Sequence, residues 1–154
     1  MTKKAFSMLE LVFVIIIIGI LAAVAMPKMM ATRDDAVIVK VRTDVSNIRS
    51  AIANLHTKNL MKGDGSYPEA LDDAKSNTEG EELFDGNASI GQLLDYPIYS
   101  KNADGHWMKT DDTNYSVKIM DTNVSFNYYP SNGHFDCKNI NSGNADNLCK
   151  KLTH

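Results

Sequence analysis

Residues 6–26, FSMLELVFVIIIIGILAAVAM, form an apolar run interrupted by one carboxylate, Glu10. As a helix rising about 1.5 Å per residue, the run reaches roughly 30 Å, the thickness of the hydrocarbon core of a bilayer. A secretory signal has a shorter apolar region; here the run passes directly into an amphipathic pattern, so we expect it to remain with the mature protein. An ionised side chain inside such a span costs on the order of 2.5–3.5 kcal/mol, which makes Glu10 a candidate functional residue in need of a partner. The plainer account is a carboxylate near the helix end that snorkels to the headgroups.

Lys3 and Lys4 precede the run, followed by Ala5 and Phe6. By the positive-inside tendency they place the amino end in the cytoplasm and everything after Met26 outside. The string Lys3-Lys4-Ala5-Phe6-Ser7-Met8-Leu9-Glu10, with the apolar run ending at Pro27, resembles the prepilin leader and helix start of type IV pilins and type II secretion pseudopilins. The resemblance implies a leader, residues 1–5, cut between Ala5 and Phe6 by a prepilin peptidase that also N-methylates Phe6. It implies that Glu10 serves assembly, and that Pro27 kinks the helix without necessarily ending it. The family usually has Gly before the cut, where this chain has Ala5. The free ammonium left on Phe6 would need an anion, and Glu10 of a staggered neighbouring copy can supply it, setting register more than adding net stability.

The implied partners are other copies or other pilin-like subunits in a helical filament, the peptidase and methylase, and an inner-membrane assembly platform. The implied location is the bacterial inner membrane, crossed once, with a periplasmic head. The expected fold is α+β: a long N-terminal helix, membrane-spanning in its first half, packed pilin-like on a small antiparallel sheet. Residues 6–27 would be the transmembrane assembly helix, 28–62 its amphipathic continuation and 63–154 the globular head.

Periodicity supports this organisation. Val37, Val41, Val45, Ile48, Ile52 and Leu55 recur at spacings of four, four, three, four and three, one face of a helix. About three heptads without matched flanking charges give weak support to a free coiled coil. We read one helix from about Phe6 to Leu60, ended by the turn formers Lys62-Gly63-Asp64-Gly65. Tyr67-Pro68-Glu69-Ala70-Leu71 then predicts a short helix opened by proline, and the Tyr-Pro turn is similar to the segment after the long helix in pseudopilins. Residues 72–87 read as an exposed acidic loop, and 90–94 as one further helical turn.

From Tyr96 the period becomes two. Trp107 falls in a short strand, while Tyr115, Val117 and Ile119, then Val124, Phe126 and Tyr128, alternate with polar neighbours. Asp121-Thr122-Asn123 and Ser131-Asn132-Gly133 suit turns of a meander with three or four strands. Its apolar face would meet the 45–55 stripe of the helix in one core. Cys137 and Cys149 are the only cysteines. Outside the cytoplasm they are expected to form a disulfide, holding an otherwise weakly apolar tail to the sheet edge. Such a pair is more typical of pilins proper than of pseudopilins.

Charge is uneven. Residues 28–62 carry seven Lys or Arg against three Asp, and residues 64–121 four Lys against thirteen Asp or Glu. Either this is ordinary solvated surface, or a basic stem meets an acidic head on the next subunit. Nothing is basic and aromatic enough to predict nucleic-acid binding.

No phosphate-cradling loop, G-x-S-x-G or H-E-x-x-H is present, and His56, His106, His134 and His154 are scattered, so no enzyme is expected. The acid pairs Asp34-Asp35, Asp72-Asp73, Glu81-Glu82 and Asp111-Asp112 read as solvated loops and helix starts. No cofactor is predicted. The resemblance also raises calcium, which major pseudopilins bind in a late loop; Asp104, Asp111, Asp112 and Asp146 could supply oxygens, but without the spacing of a dedicated loop. The leading expectation is a structural filament subunit. The alternative is a minor pilin or membrane-tethered module recognising DNA, carbohydrate or a secreted protein.

Overall fold

The four-and-three spacing of the valine and isoleucine stripe becomes the second half of a single long helix, α1 (Met8–Met61). The structure, a computed structural model, describes residues 7–138 and 143–153, and for residues 27–32 the backbone alone. Contacts divide the chain into two compact units, Met1–Asp35 and Ala36–His154. The first contains the apolar beginning of α1. Helical backbone runs through Pro27, so the proline does not end the helix.

The second unit is α+β. Its main sheet is an antiparallel meander of β5 (Trp107–Asp111), β6 (Asn114–Ile119), β7 (Thr122–Tyr129) and β8 (His134–Cys137), in that spatial order. Register follows the alternation: Tyr115 faces Phe126 and Val117 faces Val124 across β6 and β7, and Tyr128 faces Phe135 across β7 and β8. These residues are buried with Val41, Val45, Ile48 and Ile52 of α1 in one core, as the stripe predicts. Burying each large side chain contributes about 1.5–3 kcal/mol. The hairpin turn lies one residue earlier than expected: Met120 and Asp121 take the two left-handed positions, while Thr122 and Asn123 already belong to β7.

Three expectations fail between the helix and the meander. Tyr67–Leu71 is not helical. Tyr128 Oη donates to the Pro68 carbonyl at 2.7 Å and Gly86 N–H to the Leu71 carbonyl at 3.0 Å, and these long-range bonds hold the segment open. Residues 72–87 are not an exposed loop: Leu71, Asp72, Leu83 and Phe84 are buried, with Leu71, Leu83 and Phe84 in the core itself. This stretch contains β1 (Glu82–Leu83), paired with β4 (Ile98–Tyr99), and β2 (Gly86–Asn87). The turn expected over 90–94 is instead the return strand β3 (Gly91–Gln92), paired with β2. Gly86 is required there, since its φ is +94° and an added Cβ would run into the Gly91 carbonyl oxygen.

The tail also departs from expectation. It forms α2 (Asn144–Thr153), whose Leu148 and Leu152 enter the core. Arg42 of α1 donates to the Lys151 carbonyl from Nε at 2.8 Å, satisfying an end carbonyl of α2, and Arg49 donates to the Phe135 carbonyl at 2.9 Å and pairs with Asp136. Cys137 and Cys149 form the expected disulfide, with Cα atoms 5.9 Å apart, joining β8 to α2.

Candidate functional site

Every described side chain from Ser7 to Met26 is exposed. Residues Met8–Met26, 19 in number, form the one helical segment among the described residues that is long and apolar enough to cross a membrane. Glu10 is its sole charged residue and lies in the first turn of α1. Ser7 caps that turn: its Oγ accepts from Leu9 N–H at 3.3 Å, and its carbonyl accepts from Glu10 N–H at 3.1 Å. Ser7-Met8-Leu9-Glu10 therefore has the spacing of a capping box, and an acid at the third helical position also complements the helix dipole. That signal is present in the sequence, as a serine three residues before a glutamate at the head of an apolar run. Ala5 and Phe6, the expected cleavage and methylation positions, lie outside the described residues, as does the side chain of Pro27.

In the head, the densest polar chemistry is internal. Asp72, which the sequence reading places among solvated acids, is fully buried and 2.8 Å from Lys109 Nζ. Its Oδ2 accepts from Tyr115 Oη at 2.9 Å and from Phe84 N–H at 3.0 Å, and its Oδ1 also accepts from Ala74 N–H at 3.2 Å. Lys109 reaches this site because it shares the inward parity of Trp107 on β5, a signal the sequence contains. Nothing in this cluster is open to a substrate, and it reads as a structural tie between the 72–84 segment and the sheet. Trp107 Nε1 donates to Asp44 Oδ2 at 3.1 Å, and burial pushes the Asp44 carboxyl above its usual range.

Two buried tyrosines give the head an alkaline weakness. Burial, with the Asp72 carboxylate beside it, holds the Tyr115 hydroxyl well above the ordinary tyrosine range, and burial does the same for Tyr128. An unfolded chain would ionise both from about pH 10, while the folded head keeps them neutral. Stability is therefore expected to fall as pH rises above 10, by roughly 1.4 kcal/mol per pH unit for each tyrosine, until their folded-state values are reached. Urea midpoints of wild type and Tyr128→Phe at pH 9 and 11 measure this: the variant should lose less between the two.

The candidate calcium acids Asp104, Asp111, Asp112 and Asp146 are not grouped into a metal site. Asp104 Oδ1 accepts from Met120 N–H, Asp111 Oδ1 from Asp112 N–H, and Asp146 pairs with Lys150. Among the described residues no three His, Cys, Asp or Glu side chains are grouped to hold a metal ion. His56 stacks on Tyr67 with ring centroids 3.8 Å apart, His106 is half-buried, His134 is exposed, and His154 lies outside the described residues.

Several shallow surface depressions remain, two of which bear on function. One, about 550 Å³, lies between the polar side of α1, including Asn47, Ser50 and Asn54, and the 92–98 segment with Tyr96. The other, about 300 Å³, opens on the outer face of the main sheet around Lys101, His106 and Lys118. Neither protein-family models, nor curated proteins, nor solved structures match this chain.

Proposed function

We propose that the protein is a structural subunit of a type IV pilus-like filament or type II secretion pseudopilus, held in the bacterial inner membrane before assembly. The observation that carries this reading is the wholly exposed apolar segment Met8–Met26 with Glu10 as its only charge. An apolar surface of that size needs lipid or sister helices to cover it. A lone carboxylate at its start is costly in lipid and useful against a cation on another copy. In this reading the leader is cut between Ala5 and Phe6, Phe6 is methylated, and its ammonium pairs with Glu10 of a neighbour. The head's densest polar cluster, around Asp72, is internal and ties segments together, which suits a building block.

Intact-mass and N-terminal peptide analysis of the protein from its host membranes tests the processing. A chain starting at Phe6 with one added methyl is expected. A chain starting at Met1, or at Met26 after the A-x-A-like Ala23-Val24-Ala25, would remove the main support for the filament. Glu10→Ala and Glu10→Gln together separate assembly from capping. Glu10→Ala should cut the yield of sheared filament about tenfold or more, a loss expected when an intramembrane carboxylate and its cation no longer pair, while membrane levels of the subunit hold. Glu10→Gln, which retains a capping group, should fail equally if charge pairing is the role. Wild-type yield from either variant would sink the pairing.

A further inference from the structure

The outer face of the main sheet concentrates positive charge on a strongly acidic segment. Of the four lysines in residues 64–121, Lys109 is internal and tied to Asp72, while Lys101 and Lys118 line one depression with His106. The depression, about 300 Å³, is otherwise lined by Asn77, Asn102, Asn123, Thr110 and Ser116, with Met108 the one apolar side chain among them.

The backbone fixes this surface. Lys118 lies opposite Asn123, and Ser116 opposite Met108, on the outward parity of β5, β6 and β7. Lys101 N–H donates to the Trp107 carbonyl at 3.0 Å, Lys118 N–H to the His106 carbonyl at 3.2 Å, and Asn77 N–H to the Lys109 carbonyl at 2.8 Å, so the walls are strapped to the sheet. Among the described residues Lys101 forms no ion pair, and Lys118 has only the exposed Asp121, at 3.7 Å. The nearby carboxylates are engaged with backbone: Asp104 Oδ1 accepts from Met120 N–H at 2.7 Å and Glu79 Oε1 from Asn102 N–H at 2.8 Å.

We propose that this depression binds a small ligand bearing a phosphate or sulfate group, its oxyanion held by Lys101, Lys118 and His106 and its polar remainder by the surrounding amides and hydroxyls. Two ammonium groups beside neutral donors are the usual chemistry for an oxyanion. No Phe, Tyr or Trp lines the depression, so it lacks the broad stacking platform that single-stranded nucleic acid uses, and the volume suits one small group rather than a polymer. The site lies wholly within Ala36–His154 and stands whether or not the chain assembles into filaments.

His106 makes the site self-reporting. Burial lowers its pKa first, and Lys40 of α1 and Lys101 lower it further, against the opposing pull of Asp104 and of Asp44 on α1. The Lys118 backbone is bonded to it. A bound oxyanion offsets the two lysines and favours the imidazolium, so the His106 midpoint should rise on binding and affinity should increase as pH falls through the histidine range.

The test is a histidine-resolved NMR titration of the full chain in dodecyl maltoside micelles with inorganic phosphate and, separately, inorganic sulfate, with sodium chloride holding ionic strength constant. The expected result is a saturable shift at His106, with His134 unmoved, and a His106 midpoint raised by half a pH unit or more. Lys101→Gln with Lys118→Gln should weaken affinity at least tenfold, with unchanged Trp107 fluorescence as the check on folding. A response at His106 that does not saturate, that His134 matches, or that survives the double substitution overturns the site. Saturable binding of a single-stranded oligodeoxynucleotide with no response to either small anion overturns the small-ligand assignment.

Discussion

Lys109→Met, leaving Asp72 in place, is expected to destabilise the head by about 3–5 kcal/mol, the cost of leaving one member of a buried ion pair without its counter-charge. The Lys109 and Asp72 side chains are 5% and 0% exposed, so water offers little compensation. Asp72→Asn should be comparably costly, because it strands the ammonium in the same dry site. The double variant should recover much of the loss, since an asparagine oxygen can still accept from Tyr115 Oη and Phe84 N–H, the two bonds Asp72 Oδ2 accepts now. A coupling of 2 kcal/mol or more between the two substitutions is therefore predicted, at the upper end of what contacting residues show. Urea unfolding followed by Trp107 fluorescence measures it in the full chain. A single-variant cost below about 1 kcal/mol would mean that the pair behaves as a surface one.

Which parts of this fold were legible follows from where their signals lie. The stripe Val41 to Leu55 and the alternation from Tyr115 to Tyr128 are local periodicities, and burial obeys both. The exposed segment Met8–Met26 is equally plain, because nothing but length and apolarity is needed to see it. The 72–87 segment was illegible by the same logic. Leu83 and Phe84 are the only large apolar residues there, and the bonds that bury them come from β5, β6 and the 92–94 stretch, distant in sequence. A pair of apolar residues has no period. The tail is intermediate: Leu148 and Leu152 are four residues apart, which is a helical signal, but two apolar positions amid polar residues look weak until Cys149 is tied to Cys137. Of the candidate site, the sequence exposes Glu10 and its span. The Lys101, His106 and Lys118 depression needs the strand register before its residues can be seen to share a face.

Phe84 supplies the second large effect and an inversion of the usual order of substitutions. Its ring lies 4.5 Å from that of Tyr115 and 5.7 Å from those of Trp107 and Phe135, at the centre of the aromatic core. Removing it as Phe84→Ala should cost about 3–5 kcal/mol through lost burial and the cavity left behind. Its backbone, however, sits at φ +58°, a left-handed conformation that is uncommon for a bulky residue and costs of order 1–3 kcal/mol. The surroundings do not let this relax. Phe84 N–H is held by Asp72 Oδ2 at 3.0 Å, and its carbonyl accepts from Leu94 N–H at 3.1 Å, so both peptide groups are fixed by partners ten or more residues away. Alanine keeps the steric penalty of a Cβ in that conformation, whereas glycine adopts it freely. Phe84→Gly should therefore be more stable than Phe84→Ala, by about 1 kcal/mol, although glycine removes more of the side chain and in an ordinary conformation would be the worse replacement. Urea midpoints of the two variants decide the order. Should alanine prove the more stable, the left-handed turn is not what holds Phe84 in the core, and the ring alone draws the 72–84 segment onto the sheet.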